Sequence, residues 1–311
     1  MNAAKILTDK ISMLELYHKP LDELSDIATK INSAISKGNL ELCSIINAKS
    51  GQCGEDCKYC AQSVHYNGKS EVYKLLDKDL ILKGAVTAKK NGALRYGIVT
   101  SGVAPSNSDF EAIIEAIKYI HKRVDIAIDA SLGILKRHQL ASLKDAGLIR
   151  YHHNLETSRE YFPKVTTTHT FDERIEVAKN VVDIGLELCC GGILGIGETA
   201  EDRISLAIDI ANIAPTAIPI NFLVPIKGTP LENMAILNTE EALKTIAIFR
   251  IICHNSKIIL AGGRKEVLKD KQLEAFYSGA NGMIIGDLLT TENEEIKKDI
   301  KFIERVKNCA N

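Results

Sequence analysis

The stretch Leu40-Glu-Leu-Cys-Ser-Ile-Ile46, then Lys49-Ser-Gly51, then Cys53-Gly-Glu-Asp-Cys57-Lys-Tyr-Cys60 reads as a strand, a turn and a loop bearing three thiols. The C-x3-C-x2-C spacing lets three thiolates converge on one centre. Soft thiolates favour iron–sulfur clusters or zinc. A structural zinc site usually takes four ligands, often as two C-x2-C pairs, and no fourth cysteine lies nearby in the sequence. A cubane held by three cysteines keeps one iron open for a substrate or cofactor. The strand that ends in this loop is also the first unit of a longer pattern, and that pattern sets the fold.

Working outward, strands are expected over 41–47, 95–100, 125–131, 150–156, 187–193, 217–224, 257–261 and 282–286. Helical patterns lie between them, over 78–90, 108–123, 136–146, 171–185, 200–214, 239–254 and 265–278. Strands alternating with helices imply parallel βαβ units, and about eight of them imply a closed (β/α)8 barrel of the TIM type. A doubly wound open sheet is the runner-up, but no Gly-rich dinucleotide fingerprint follows the first strand. Residues 1–39 read as an N-terminal helical cap, with Leu21, Leu24, Ile27, Ile31 and Ile35 at helical spacing. The barrel is expected over 40–311. In a barrel, active residues sit at the C-terminal ends of the strands, which is where the three-cysteine loop falls.

Composition narrows the function. The chain has 311 residues, 45% hydrophobic and 25% charged, with a net charge of −1. That charge makes no electrostatic case for nucleic acid or an anionic membrane. No apolar run is long enough to span a bilayer, and Met1–Lys10 lacks the apolar core of a signal peptide. A cytoplasmic protein is the default expectation. Its eight cysteines, three on one loop, then read as metal ligands more naturally than as disulfides.

Other segments cluster at strand ends. Tyr151-His-His-Asn-Leu-Glu-Thr-Ser158 crowds His153, Asn154 and Glu156 after the fourth strand. An Asn amide donates and accepts, and a Glu can take two ribose hydroxyls. The bland reading is a solvated loop with a helix cap. Arg174 can clamp a carboxylate bidentately, though a lone arginine is more often a surface one. Glu187-Leu-Cys-Cys-Gly-Gly-Ile-Leu-Gly-Ile-Gly-Glu-Thr199 carries glycines that permit close approach of a ligand, or merely a tight turn. Adjacent Cys189 and Cys190 should face opposite sides of a strand unless a bulge at Gly191-Gly192 turns both inward. Asn221 is an amide inside an apolar strand and needs a partner, either ligand or backbone. Thr290 and Thr291 head a helix start where free N–H groups can bind a carboxylate; an ordinary cap is the alternative. Cys253 reads as a small buried hydrophobe, and Cys309 carries no assignment.

The C-x3-C-x2-C loop resembles the signature of the radical S-adenosylmethionine (SAM) enzymes, whose open iron binds the amino and carboxylate groups of SAM. Taken with Ala61-Gln62-Ser63, the segments 151–158, 167–174 and 191–199, and 221–230 with its Lys227-Gly-Thr-Pro230, the chain resembles the biotin synthase family over nearly the whole barrel. The resemblance implies SAM-dependent sulfur insertion into dethiobiotin. Cys53, Cys57 and Cys60 would hold a [4Fe–4S] cluster, and a 5′-deoxyadenosyl radical would abstract hydrogen from two unactivated carbons. Asn154, Glu156 and Arg174 would bind SAM, with Gly191 and Gly192 beside them and the Tyr59 backbone at the adenine. Asn154 and Asn221 would hold the ureido ring, and Thr290 and Thr291 the carboxylate tail. A homodimer and an electron donor such as flavodoxin or ferredoxin are implied as well.

One departure stands out. The family's donor [2Fe–2S] cluster uses cysteines on the second, third and fifth strands and an arginine on the seventh. The corresponding positions here are Gly97, Asp129, Cys189 and Ile259. Cys43 on the first strand and Cys190 beside Cys189 are the replacement thiols, which leads to a variant second iron–sulfur cluster ligated by Cys43, Cys189 and Cys190. The alternative is that these are core cysteines and one cluster is present. Two further functions compete: a related barrel enzyme without sulfur insertion, such as a hydrogenase-cofactor maturase or a methylornithine synthase, and a non-catalytic iron–sulfur or zinc protein.

Overall fold

The computed structural model describes residues 9–36, 39–286, 288–289 and 294–309. Two helices come first, α1 (Lys10–Tyr17) and α2 (Leu21–Ser36). Then strands and helices alternate: β1 (Glu41–Lys49), α3 (Lys78–Lys90), β2 (Arg95–Thr100), α4 (Asn107–His121), β3 (Ala127–Ser131), α5 (Arg137–Asp145), β4 (Arg150–His152), α6 (Phe171–Asp183), β5 (Glu187–Cys189), β6 (Gly192–Leu194), α7 (Ala200–Ile213), β7 (Ala217–Phe222), α8 (Thr239–Ile252), β8 (Lys257–Leu260), α9 (Arg264–Leu268), α10 (Gln272–Tyr277), β9 (Gly282–Ile284) and α11 (Ile296–Cys309).

Every strand pairing is parallel. The ring runs from β1 through β2, β3 and β4 to β5, and from β1 the other way through β9, β8 and β7 to β6. It closes because β7 bonds both β5, at Ala217 against Cys189, and β6, at Ile220 against Gly192. β5 and β6 are thus two halves of one broken stave, and the barrel has eight staves as expected. The open sheet is excluded.

Local chemistry explains the helix ends. Asp77 caps α3, with Lys89 and Lys90 in its last turn, where cations suit the helix dipole. Thr170 with Glu173 and Thr199 with Asp202 form capping boxes at α6 and α7. α3 buries Ile81, Ala85 and Ala88 on one stripe toward the barrel. α8 is buried almost throughout, because α1 and α2 lie against its outer side. Asn32 of α2 donates to the Ala280 carbonyl at 3.1 Å and accepts from Asn281 at 3.0 Å, pinning that helix to the turn that enters β9.

Besides the break between β5 and β6, the structure departs from expectation in three places. The helix expected over 265–278 is two short helices, because Lys269 has φ 52° and turns the chain between them. β4 stops at His152, not at 156, since the backbone leaves the ladder there. α11 was not anticipated; Arg264 donates to Asp299 at 2.5 Å and ties it to α9.

Candidate functional site

The loop after β1 is held by bonds that do not depend on any metal. The Cys53 N–H donates to the Gln62 carbonyl at 2.9 Å, and Cys60 N–H to the Cys57 carbonyl at 3.0 Å. Gln62 Oε1 accepts from Gly51 N–H at 2.9 Å. Asp56 is the hub. Its carboxylate accepts from Thr166 Oγ1 at 2.6 Å, Thr167 N–H at 2.8 Å, Thr167 Oγ1 at 2.5 Å and Thr168 N–H at 3.2 Å. Burial opposes the charge, but these threonine bonds hold the carboxyl well below the usual range. Segment 166–168 is therefore a cradle for the cysteine loop.

Cys53, Cys57 and Cys60 all line one cavity of about 410 Å³ at the C-terminal ends of the strands. Burial pushes the Cys57 thiol up to about 12 and Cys60 to about 11, so in the metal-free chain both stay protonated until a cation displaces the proton. Among the described residues, no three His, Cys, Asp or Glu side chains are placed to share a single metal ion. A cubane asks for something else, since each thiolate binds a different iron. Three soft donors on one preorganised loop, facing one cavity, fit that group.

The adjoining wall comes from the chain after β4. Asn154 Nδ2 donates to Glu156 Oε2 at 3.3 Å, and Asn154 Oδ1 accepts from Gly191 N–H at 3.1 Å. Glu156 has φ 69°, a left-handed conformation unusual for Glu, so local strain marks this position. Arg174 Nη1 donates to the Asn154 carbonyl at 2.8 Å and lies 3.6 Å from Glu156. Its Nε donates to His169 Nε2 at 2.9 Å. An arginine can only donate, so Nε2 must accept and the imidazole proton sits on Nδ1, which contacts Glu55 of the cysteine loop. Burial and Arg174 depress the His169 pKa against Glu55, keeping the ring neutral. Glu55, His169 and Arg174 thus form a relay from the loop to the far wall. The sequence reading included this segment but missed His169. Tyr59, Ile193 and Leu223 form an apolar slot beside it.

The break between β5 and β6 changes two assignments. A Cβ on Gly191 would lie 2.0 Å from the Pro219 carbonyl oxygen, and one on Gly192 2.5 Å from that of Glu156. These glycines admit protein backbone, not a ligand. Cys189 lines the cavity, whereas Cys190 is fully buried in the layer between barrel and helices. The break did not turn both thiols inward, so Cys190 cannot join a site in the cavity. Asn221 found the bland partners, donating to the Gly192 carbonyl at 3.3 Å and accepting from Gly262 N–H at 3.1 Å, while still lining the cavity. Cys253 is buried with its thiol against the Ala207 carbonyl, as a core residue. Thr290 and Thr291 lie outside the described residues, and Cys309 ends α11.

Deeper in the barrel the cavity reaches Cys43 and Cys189. Burial raises both thiols, Cys189 to about 12. Below them lies a ring of charge that the sequence reading did not find. Arg150 donates to Glu41 at 2.6 Å and to Glu187 at 3.0 Å. Arg95 donates to the two oxygens of Asp129 at 3.1 and 3.0 Å, and lies 3.0 Å from Glu187. The available signal was positional: Glu41, Arg95, Arg150 and Glu187 are each the first residue of a strand. Asp129 stands where the resemblance calls for a cysteine, and its carboxylate is committed to Arg95. His152 lines the same cavity, in register with Cys189 across β4 and β5. Burial, then Arg150 and Arg174, push it down to about 4.

Comparison with known proteins agrees with this geometry. The radical SAM superfamily model matches residues 49–210, and that of the biotin and thiamin synthesis associated domain matches 219–307. The biotin synthase of Clostridium botulinum strain Hall is 43% identical, over 96% of this chain and 94% of its own. That of Clostridium tetani is 48% identical, over 93% and 88%. Among solved structures, methylornithine synthase superposes with a TM-score of 0.83 over 98% of this chain and 96% of its own, at 18% identity, which speaks to the fold alone. With relatives this similar over nearly the full length, the chain belongs to the biotin synthase family of radical SAM enzymes.

Proposed function

We propose that this chain inserts sulfur into dethiobiotin to form biotin. The observation that carries the reading is the cavity joining the cysteine loop, past Asn154 and Asn221, to the thiols of Cys43 and Cys189. Thiolating unactivated carbons needs a radical source at one end of a substrate and a sulfur source at the other. This cavity offers a donor set for each.

Cys53, Cys57 and Cys60 would hold a [4Fe–4S] cluster. Arg174 would take the carboxylate of SAM, Asn154 and Glu156 its ribose hydroxyls, and the backbone at Tyr59 its adenine. The cluster and SAM, when bound, supply the electron and the hydrogen-abstracting power that side chains lack. The chain itself does the rest. The relay from Glu55 through His169 fixes the Arg174 guanidinium before any ligand arrives. Asn154 and Asn221 would bracket the ureido ring, since an amide both donates and accepts, as a cyclic urea does. Ile45, Pro219 and Ile284 line the cavity between and keep water from reactive carbons. Thr290 and Thr291 would take the carboxylate tail. Cys43 and Cys189 would ligate a second iron–sulfur cluster that donates sulfur. A flavodoxin or ferredoxin would deliver electrons to a cytoplasmic homodimer, in which 1–39 caps the catalytic barrel of 40–311. The rival of a barrel enzyme without sulfur insertion draws support from fold likeness at 18% identity, against 43% and 48% for biotin synthases.

The test is an anaerobic assay of protein reconstituted with iron and sulfide, given SAM, reductant and dethiobiotin. Biotin together with 5′-deoxyadenosine is expected. 5′-Deoxyadenosine without biotin, at an iron and sulfide load sufficient for two clusters, would sink the sulfur-insertion reading.

A further inference from the structure

The lower cavity presents two thiols, Cys43 and Cys189, and a thiol pair alone is a thin ligand set for an iron–sulfur cluster. The other polar groups at that depth are already committed. Asp129 is held by both nitrogen-to-oxygen contacts from Arg95, and Arg150 is spent on Glu41 and Glu187. Asn154 and Asn221, higher up, are bonded to backbone. Pro219, Ile259 and Ile284 are apolar. His152 is different. It is two residues along β4 from Arg150, so strand alternation sends both side chains inward. It faces Cys189 as its Cα partner in the ladder. Its ring makes no hydrogen bond among the described residues, although it lines the cavity. The neighbouring His153 also lines the cavity, but its ring packs on Tyr151, centroids 6.3 Å apart, and it is not the residue in register with Cys189.

We infer that His152 supplies an imidazole nitrogen to the second iron–sulfur cluster, completing a ligand set of Cys43, Cys189 and His152. The inference rests on the reading that Cys43 and Cys189 hold such a cluster. It adds the donor that replaces the committed Asp129. Imidazole is a competent iron ligand and replaces thiolate at some iron–sulfur centres, where it raises the reduction potential. The His152 ring faces the cavity with no side-chain or backbone partner among the described residues, so a group bound there would meet an uncommitted nitrogen donor.

The experiment uses the full chain with Cys53, Cys57 and Cys60 all changed to Ala, which isolates the lower site. The protein is reconstituted anaerobically with iron and sulfide, with natural or nitrogen-15 histidine, and the reduced form is examined by pulsed electron paramagnetic resonance. The expected result is bound iron and sulfide, with a nitrogen coupling that changes on histidine labelling. Adding His152→Ala should remove at least half of the iron and sulfide. Adding His152→Cys should keep the iron and sulfide while abolishing the nitrogen coupling, which a merely structural role for the ring would not do. If the cluster is present without a histidine-dependent coupling, the inference is overturned and the second-cluster reading stands. If the triple variant takes up no iron and sulfide, the second-cluster reading falls, and this inference with it. Should His152→Ala fail to fold, the labelling result and His152→Cys still decide.

Discussion

At the rim of the barrel, Asp56 draws its hydrogen bonds from three consecutive threonines, Thr166 to Thr168. At the floor, Arg150 draws its partners from two other strands, Glu41 on β1 and Glu187 on β5. Both arrangements immobilise charge. The rim does so with short segments that carry their own polar partners, and it leaves Cys53, Cys57 and Cys60 facing the cavity. The floor does so with a ring that exists only when β1 to β5 are in register. The rim is therefore built for binding and the floor for holding the barrel together. The cavity runs from one to the other, so damage at each end should show in a different measurement.

The largest effect is expected at the rim. Cys57→Ala should abolish 5′-deoxyadenosine formation, while the melting temperature of the metal-free protein stays near that of the parent; a large drop in melting temperature would break the contrast. At the floor the reverse is expected. Arg150→Leu strips the largely buried Glu41 of its main partner, while the part-exposed Glu187 keeps Arg95, and should cost about 3 kcal/mol in urea unfolding. The third test probes the relay. His169→Ala should weaken SAM binding about tenfold, roughly 1.4 kcal/mol, with iron content unchanged, as read by SAM titration of the reconstituted protein. Equal binding would mean that Arg174 needs no second support.

Acid probes the buried imidazoles of the cavity wall. Burial, reinforced by Arg174, holds His153 well below its ordinary value. Below about pH 6.5 the unfolded chain takes a proton on this ring that the native chain refuses. Stability should then fall with pH by up to about 1.4 kcal/mol per unit, until the native ring titrates too. His152, pushed down to about 4, adds in the same direction. His153→Phe should flatten the slope between about pH 6.5 and pH 5 in urea titrations. The smallest effect belongs to a residue in neither region. Cys253→Ser should cost about 1 kcal/mol, since a hydroxyl can still donate to the Ala207 carbonyl, and should leave iron uptake as it was.

Much of the architecture was legible because it is periodic or local. Most strands and helices fell where alternation and caps placed them, and the three thiols spaced within eight residues do face one cavity. The resemblance drew Asn154, Glu156, Arg174 and Asn221 into one site, and the barrel does bring them to one cavity. What the sequence did not disclose depends on partners far apart in the chain. Alternation put Cys189 and Cys190 on opposite faces, but which of them enters the cavity was settled only by the placement of β5 in the barrel. The contact between His169 and Glu55 spans 114 positions. The ring of Glu41, Arg95, Asp129, Arg150 and Glu187 needs five strands in register. Hydrophobic period and side-chain spacing are properties of neighbours along the chain, so the sequence by itself determined the barrel and its three-cysteine loop. Which side chains meet inside a closed barrel depends on its stagger and breaks, and only the tertiary structure decided that.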